Sequence, residues 1–401
     1  LHSFPPRRPS DLEARNPNDA SPGPRMHLFT VRAQMPEELS GIRRLASNLW
    51  WTWHPSAAGL FRSLSPELWT QMRHNPLKVL EALPQTVIDQ HMQNPEFIGR
   101  MREVISNFDA YMGDREAIHT PRRIAYMCME YGLHESMPFY SGGLGVLAGD
   151  TLKAASDMNL PMVAVGLAYR RGSFRQTLDR DGNQREEYAS IDFTTLPLQP
   201  VVDTDGTRIL VYVRFPGRAV AVQAWRVDVG SVPLYLLDTD HPNNSHADRE
   251  ITAVLYAGER DRRLQQEMVL GIGGSKMLRA IGEPPTVYHM NESHTAFLSL
   301  DRQFNMVRDG DVDFPAAFEY CKQTSVFTTH TPIPAGHETY KEDLLRPYLV
   351  HYQDRLHRSW ENLMALGRVN ESDKDADFSM SLMALRNSSG VNAVSKIHRR
   401  V

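Results

Sequence analysis

The 401 residues carry 44 Lys and Arg against 48 Asp and Glu, a formal net charge of −4, with 41% hydrophobic and 23% charged residues. That balance matches soluble globular chains and excludes both an intrinsically disordered class and a nucleic-acid binder that works through a broad basic field. The length predicts two or three structural units, because single cores rarely grow beyond roughly 250–300 residues, and no apolar run approaches the ~20 residues of a membrane-spanning helix.

The first 25 residues are rich in Pro and Arg and hold no hydrophobic stretch for a signal peptide. We read residues 1–25 as a leader outside the fold, with Met26 as the natural start, and Val391–Val401 as a pattern cut before its end. From Pro36 to about Met112, apolar residues recur at spacings of three and four, and Pro55, Pro66 and Pro76 punctuate short helices. Residues 26–118 are therefore expected to form a small helical domain. Trp50, Trp51, Trp53 and Trp69 fall on the helical spacing, which favours an aromatic core over a sugar-stacking platform.

Beyond residue 118 the texture changes. The runs RIAYMCMEY, MVAVGLAYR, VPLYLLD, TVYHMNE and SVFTTHT are short, apolar and bounded by polar turns, with helical segments between several of them. This alternation predicts an α/β class with a parallel sheet. Between Arg171 and Val229 it is interrupted by a hairpin at Asp181-Gly182 and by the pair RILVYVRF and AVAVQAWRV, which reads as a β-rich insertion at the sheet edge. Glu259–Ala280 reads as the strongest helix, although Gly271, Gly273 and Gly274 each cost about 1 kcal/mol relative to alanine. These glycines are expected to admit a neighbouring backbone. Cys128 and Cys321 lie far apart in apolar runs and read as buried free thiols of a reducing, cytoplasmic compartment.

Ser141-Gly142-Gly143-Leu144-Gly145 stands between a strand and a helix. In that setting free backbone amides and the positive end of the helix dipole converge on an anion. Gly143-x-Gly145-x-x-Ala148 also satisfies the dinucleotide fingerprint, but GLHESMPFYS separates it from its strand, and Tyr169-Arg170-Arg171 stands where a ribose-binding acid is expected. Other strand ends carry Asn291, Glu292, Ser293 and His294; Thr329, His330 and Thr331; and Glu130, His134 and Glu135. Ligands of open α/β sheets bind beyond the carboxyl ends of strands, so these groups are candidates to converge on the glycine loop. The competing reading makes Glu292 and His294 helix caps and His330 a buried turn residue. Metal binding is disfavoured: there is no HExxH or cysteine pair, and Asp373, Asp375 and Asp377 lack the glycine and distal glutamate of a calcium loop.

Four long segments, Ser141–Gln176, His289–Arg302, Val326–Tyr340 and Phe378–Val401, resemble successive signatures of the α-glucan phosphorylases, in the bacterial branch with an extra N-terminal helical domain. The resemblance covers nearly everything from Leu39 onward. It implies that residues 119–401 are the N-terminal Rossmann-like half of a two-domain glycosyltransferase of GT-B type, whose second domain is absent from this sequence. It also implies phosphorolysis of a terminal glucose from an α-1,4-glucan to glucose 1-phosphate, with pyridoxal phosphate as cofactor. The partners would be the glucan and phosphate, with neither nucleic acid nor membrane, and a homodimer is expected of the full-length protein.

Residue by residue, the resemblance makes Gly142, Gly143, Leu144 and Gly145 the loop that faces phosphate and sugar. It makes His330 the catalytic histidine at the glucosyl unit and puts Asn291 and His294 near the glucan path. Tyr256–Glu259 falls in the region of a glucose-contacting gate loop. The Schiff-base lysine is absent: Lys153, Lys276 and Lys396 lie in segments that match non-cofactor parts of the family. The chain alone is therefore expected to be catalytically silent and to hold pyridoxal phosphate weakly or not at all. Two alternatives stay open: the first domain of a nucleotide-sugar glucan synthase, which also uses a Gly-Gly-Leu loop, and a glucan-binding module without turnover.

Overall fold

The computed structural model describes residues 36–113, 122–256, 258–310, 312–330 and 336–400. The leader 1–25 and Thr331 lie outside them.

The N-terminal helices begin where their sequence signals stand. Ser65, Asn75 and Asn94 accept hydrogen bonds from the amides of the following first turns, and Pro66, Pro76 and Pro95 occupy first helical positions that need no amide donor. Their apolar faces close on a cluster of their own that includes Leu45, Trp51, Leu60, Phe61, Val79 and Met101. Trp50, Trp51 and Trp69 are 3%, 2% and 8% exposed, so these indoles are core and not a platform. Asn48 ties this segment to the rest of the chain by donating to the Gly230 carbonyl and accepting from the Gly230 amide, both at 2.9 Å.

The remaining chain is mixed α/β around one nine-stranded sheet. In chain order the strands are β1 (Ile124–Cys128), β2 (Met162–Leu167), β3 (Arg175–Leu178), β4 (Gln184–Glu187), β5 (Gln199–Pro200), β6 (Val211–Phe215), β7 (Arg218–Val229), β8 (Val232–Asp238), β9 (Val287–Asn291), β10 (Ser325–Thr329), β11 (Thr339–Tyr340), β12 (Phe378–Ser379) and β13 (Gly390–Ala393). The order across the large sheet is β13-β10-β9-β1-β2-β8-β7-β5, with β6 also paired to β7. From β13 through β8 every pairing is parallel, and β5, β6 and β7 add the antiparallel edge. The expected insertion is thus two features. β3 and β4 form a separate hairpin around Asp181-Gly182, while β6 and β7 extend the main sheet.

Strand order reverses at β1. The chain proceeds from β1 to β2 and β8 on one side, then returns to place β9 and β10 on the other. Connections leaving β1 and β9 diverge there, and the gap beyond their carboxyl ends is the crevice that such sheets offer to ligands.

The segment Arg260–Ala280 is helical throughout, but Val269–Gly273 widens to a π-helical turn between two α-helical stretches. Gly271 behaves as expected: a Cβ there would lie 2.7 Å from the Leu298 amide nitrogen. Gly149 serves the same purpose in the helix Gly143–Asp157, where a Cβ would fall 2.2 Å from the Gly132 carbonyl oxygen. Cys128 and Cys321 are buried free thiols. Among the described residues, no helix is long and apolar enough to cross a membrane.

Substituting Gly149→Ala should lower stability by about 1–3 kcal/mol, since backbone must move to admit the methyl. Gly59→Ala, where nothing lies within 4 Å of the added carbon, should raise it by about 0.5–1 kcal/mol through helix propensity. Urea unfolding of the two variants checks the contrast.

Candidate functional site at the carboxyl edge of the sheet

Two residues past β1, Glu130 is 2% exposed, and its carboxylate organises the chain that follows. One oxygen accepts from the Ser141 amide at 2.6 Å and from the Gly142 amide at 3.4 Å, and the other accepts the Tyr256 hydroxyl. Buried charge is tolerated only when it is hydrogen-bonded in this way. The loop from residue 131 to 142 is thereby folded back over β1, and the helix Gly143–Asp157 starts directly beyond it with Gly142 as an uncapped N-terminus.

The N–H groups of Gly143, Leu144 and Gly145 have no acceptor among the described residues. They are the free first-turn donors of a 15-residue helix, where the dipole adds positive potential. A Cβ at Gly142 or Gly143 would meet nothing within 4 Å, so a side chain at either would project into open space. Gly145 differs from the sequence expectation. It is buried, and a Cβ there would lie 2.6 Å from Tyr140 Cβ and 2.8 Å from Glu130 Oε2, so its bareness serves packing and it does not line the cleft.

Gly142, Gly143, Leu144 and Leu147 form one wall of a cleft of about 730 Å³, opposite Glu292, His294 and His330 from the ends of β9 and β10. Tyr256, Arg263, Gly336, Glu338 and Val394 complete the lining. Glu292 adopts φ 69°, a conformation costly for a non-glycine residue, and it is held there from both sides. Its carboxylate accepts from the Ser293 amide at 3.0 Å and the His330 amide at 2.7 Å. It thus caps the short turn Ser293–Thr295 and also fixes the exit of β10.

His330 shares a 2.7 Å hydrogen bond between its Nε2 and Asn291 Oδ1. With Nε2–H donating to that oxygen, Nδ1 is left as an acceptor. Burial, followed by the charge of His398, lowers the His330 pKa to about 4, so the ring is neutral near pH 7. His294 is 6% exposed, faces Tyr256 with ring centroids 5.7 Å apart, and has no partner for Nδ1 among the described residues. Burial, then the neighbouring Arg263 and His330, brings its pKa down to about 3.

Asn291 departs from its expected place on the glucan path. It is fully buried behind His330, and its Nδ2 donates to Cys128 Sγ at 3.2 Å, so it orients the histidine and does not line the cleft. His134 and Glu135 stay away as well. The first packs edge-on against Trp51 at 4.6 Å, and the second pairs with His74. The acidic stretch at Asp373, Asp375 and Asp377 lies away from the cleft, and among the described residues no group of three His, Cys, Asp or Glu could hold a metal ion.

Arg263 is a cleft residue that nothing in the sequence singles out from Arg260 and Arg262 beside it. Its guanidinium lies 4.6 Å from the Tyr256 ring centroid and 3.5 Å from Glu338. Of the segment Tyr256–Glu259, Tyr256 lines the cleft at φ 52°, while Ala257 lies outside the described residues.

A bare helix start, two neutral histidines, one arginine and the carboxylates of Glu292 and Glu338 thus surround a polar crevice at the reversal of the parallel sheet of an α/β protein. Residues 35–137 match a family model described as a protein of unknown function, DUF3417. The chain is 39% identical to the maltodextrin phosphorylase of Thermococcus litoralis, covering 92% of this chain and 44% of that protein. It is also 39% identical to a glycogen phosphorylase of Mycobacterium tuberculosis, over 94% of this chain and 46% of the relative. The glycogen phosphorylase of Aquifex aeolicus is 34% identical, over 90% and 52%. The chain belongs to the glycogen and maltodextrin phosphorylase family, and it spans about half the length of the curated relatives it matches.

Glu130→Gln turns an acceptor-only group into one that presents N–H donors to donors. It should cost about 1–3 kcal/mol in urea unfolding and speed hydrogen exchange at Ser141 and Gly142. Acid should also destabilise the fold. His289 and His294 have pKa values lowered from 6.5 to about 4 and about 3 by burial, so the unfolded chain binds more protons than the folded one between those limits. Their contribution is complete above pH 6.5 and is lost as pH falls toward 4, by up to about 1.4 kcal/mol per pH unit for each histidine. Unfolding free energies measured from pH 7 to 4.5 should show that fall.

Proposed function

We propose that this chain forms the glucan- and phosphate-facing half of an α-1,4-glucan phosphorylase. The reaction breaks the bond between the anomeric carbon of the terminal glucose and the next sugar's oxygen. It joins that carbon to a phosphate oxygen, releasing glucose 1-phosphate and a shortened glucan whose freed oxygen takes up a proton. The observation that carries this reading is that Gly143 and Leu144, whose amides have no acceptor among the described residues, line the same cleft as His330.

Each wall then has a task. The amides and the helix dipole favour the phosphate oxygens. His330 and His294 are neutral near pH 7, so neither repels the positive character that develops at the anomeric carbon. Asn291 and Glu292 keep His330 in place through its ring and its backbone. On this reading Gly142, Gly143, Leu144 and His294 contact the ligand and His330 is the catalytic histidine. Gly145 offers at most its amide, and Asn291 is a positioning residue.

Pyridoxal phosphate is the cofactor that the family implies, and the cleft described here does not fit it. Among the described residues, no lysine lines the cleft. Lys153 and Lys276 instead donate to the carbonyls of Leu133 and Tyr212, and burial lowers the pKa of both. We therefore derive no step through that group. We take the sheet and its helices as the first Rossmann-like unit of a GT-B fold, the helical segment as a separate domain, and the cytoplasm as its compartment. A homodimer is the expected assembly when the remainder of the protein is present.

Gly143→Ala should leave urea unfolding within about 1 kcal/mol of the parent, because its methyl touches no protein atom within 4 Å. It should weaken glucose 1-phosphate binding by calorimetry at least about tenfold; unchanged affinity would overturn the assignment of the loop. The 401 residues alone should release no glucose 1-phosphate from maltoheptaose and phosphate, and turnover by them would refute the need for further basic groups.

A further inference from the structure

A second cavity, of about 710 Å³, lies where the helical segment meets the β insertion. Tyr140 and Ser141 line it, and the next two residues, Gly142 and Gly143, line the cleft. The two hollows therefore adjoin across one loop, Tyr140 to Gly143.

Its chemistry is mixed. Arg73, Lys78, Arg171 and Arg175 are set against Glu135, Glu187 and Asp192, so no single sign of charge dominates and a polyanion gains little there. Alternating donors and acceptors suit a neutral ligand rich in hydroxyls, which can satisfy both. Phe174 lines the hollow at 39% exposure, and Tyr188, 44% exposed, lies 5.9 Å from it between ring centroids. Such a pair offers flat apolar surface with a polar tip, which fits the apolar face of a pyranose ring.

The helical wall is held under strain. Arg73 and His74 have φ values of 51° and 55°, two consecutive left-handed non-glycine residues. Conformations of this kind persist only where the surroundings fix them. Here Asn75 Nδ2 donates to the Thr195 carbonyl at 2.9 Å, joining two residues of the lining, and His74 pairs with Glu135, a third.

We propose that this groove is the track for the α-1,4-glucan chain beyond the unit held in the cleft, with the helical segment as one of its walls. The inference rests on the cleft being the glucosyl site, and it assigns a role to a segment whose family model carries none.

Hydrogen–deuterium exchange of the 401-residue protein with millimolar maltoheptaose separates the two ideas. Slowed exchange at residues 72–78 and 172–190 together with the loop at 142–147 is the expected result. Slowing at the loop alone overturns the groove and leaves the cleft reading intact, whereas slowing at neither overturns the glucan reading itself. The variant Phe174→Ala with Tyr188→Ala, both on exposed positions, should weaken maltoheptaose about tenfold while glucose 1-phosphate binding stays unchanged. Equal affinity in variant and parent rules the aromatic pair out as a sugar contact and overturns the track.

Discussion

The site depends on one buried carboxylate. Glu130 gathers two loop amides and a tyrosine hydroxyl around a charge that water cannot reach. Because an unpaired buried charge is prohibitively costly, the loop, the tyrosine and the strand end are bound to a single arrangement. Amides nearer the strand are used up by that charge, so the free ones begin at Gly143. The division of the glycine loop into a structural half and a ligand-facing half follows from where Glu130 sits.

The same logic separates glycines that look alike on paper. Gly142 and Gly143 border open space, whereas Gly145 and Gly149 are pressed against Glu130, Tyr140 and Gly132. The first three fall in the run that the sequence marks as an anion loop, and Gly149 follows one helical turn on. Only the angle at which the helix leaves its strand decides which of them faces outward, and spacing does not encode that angle.

The runs that became β1, β2, β8, β9 and β10 were legible because continuous apolar stretches bounded by turns are what a two-sided buried sheet requires. The tryptophan core was legible from its period. Strand order was not, since the return from β8 to β9 across β1 depends on long-range packing. For the site, the convergence of Glu292, His294 and His330 could be anticipated from strand ends. Asn291 could not be told from its cleft-lining neighbours Glu292 and His294, because all three stand at the end of one strand and spacing does not say which side chain reaches the cleft. Arg263 was invisible inside a run of arginines.

The latch between Asn48 and Gly230 shows where the two parts hold each other. Gly230, at φ 59°, turns the chain from β7 to β8, and one asparagine side chain meets both of its backbone groups. Solvent would serve those groups equally well. Gly230 lies in the turn beyond the last β7–β8 pair, Val229 with Val232, so this contact fastens the helical part to the sheet and leaves the register of that ladder untouched.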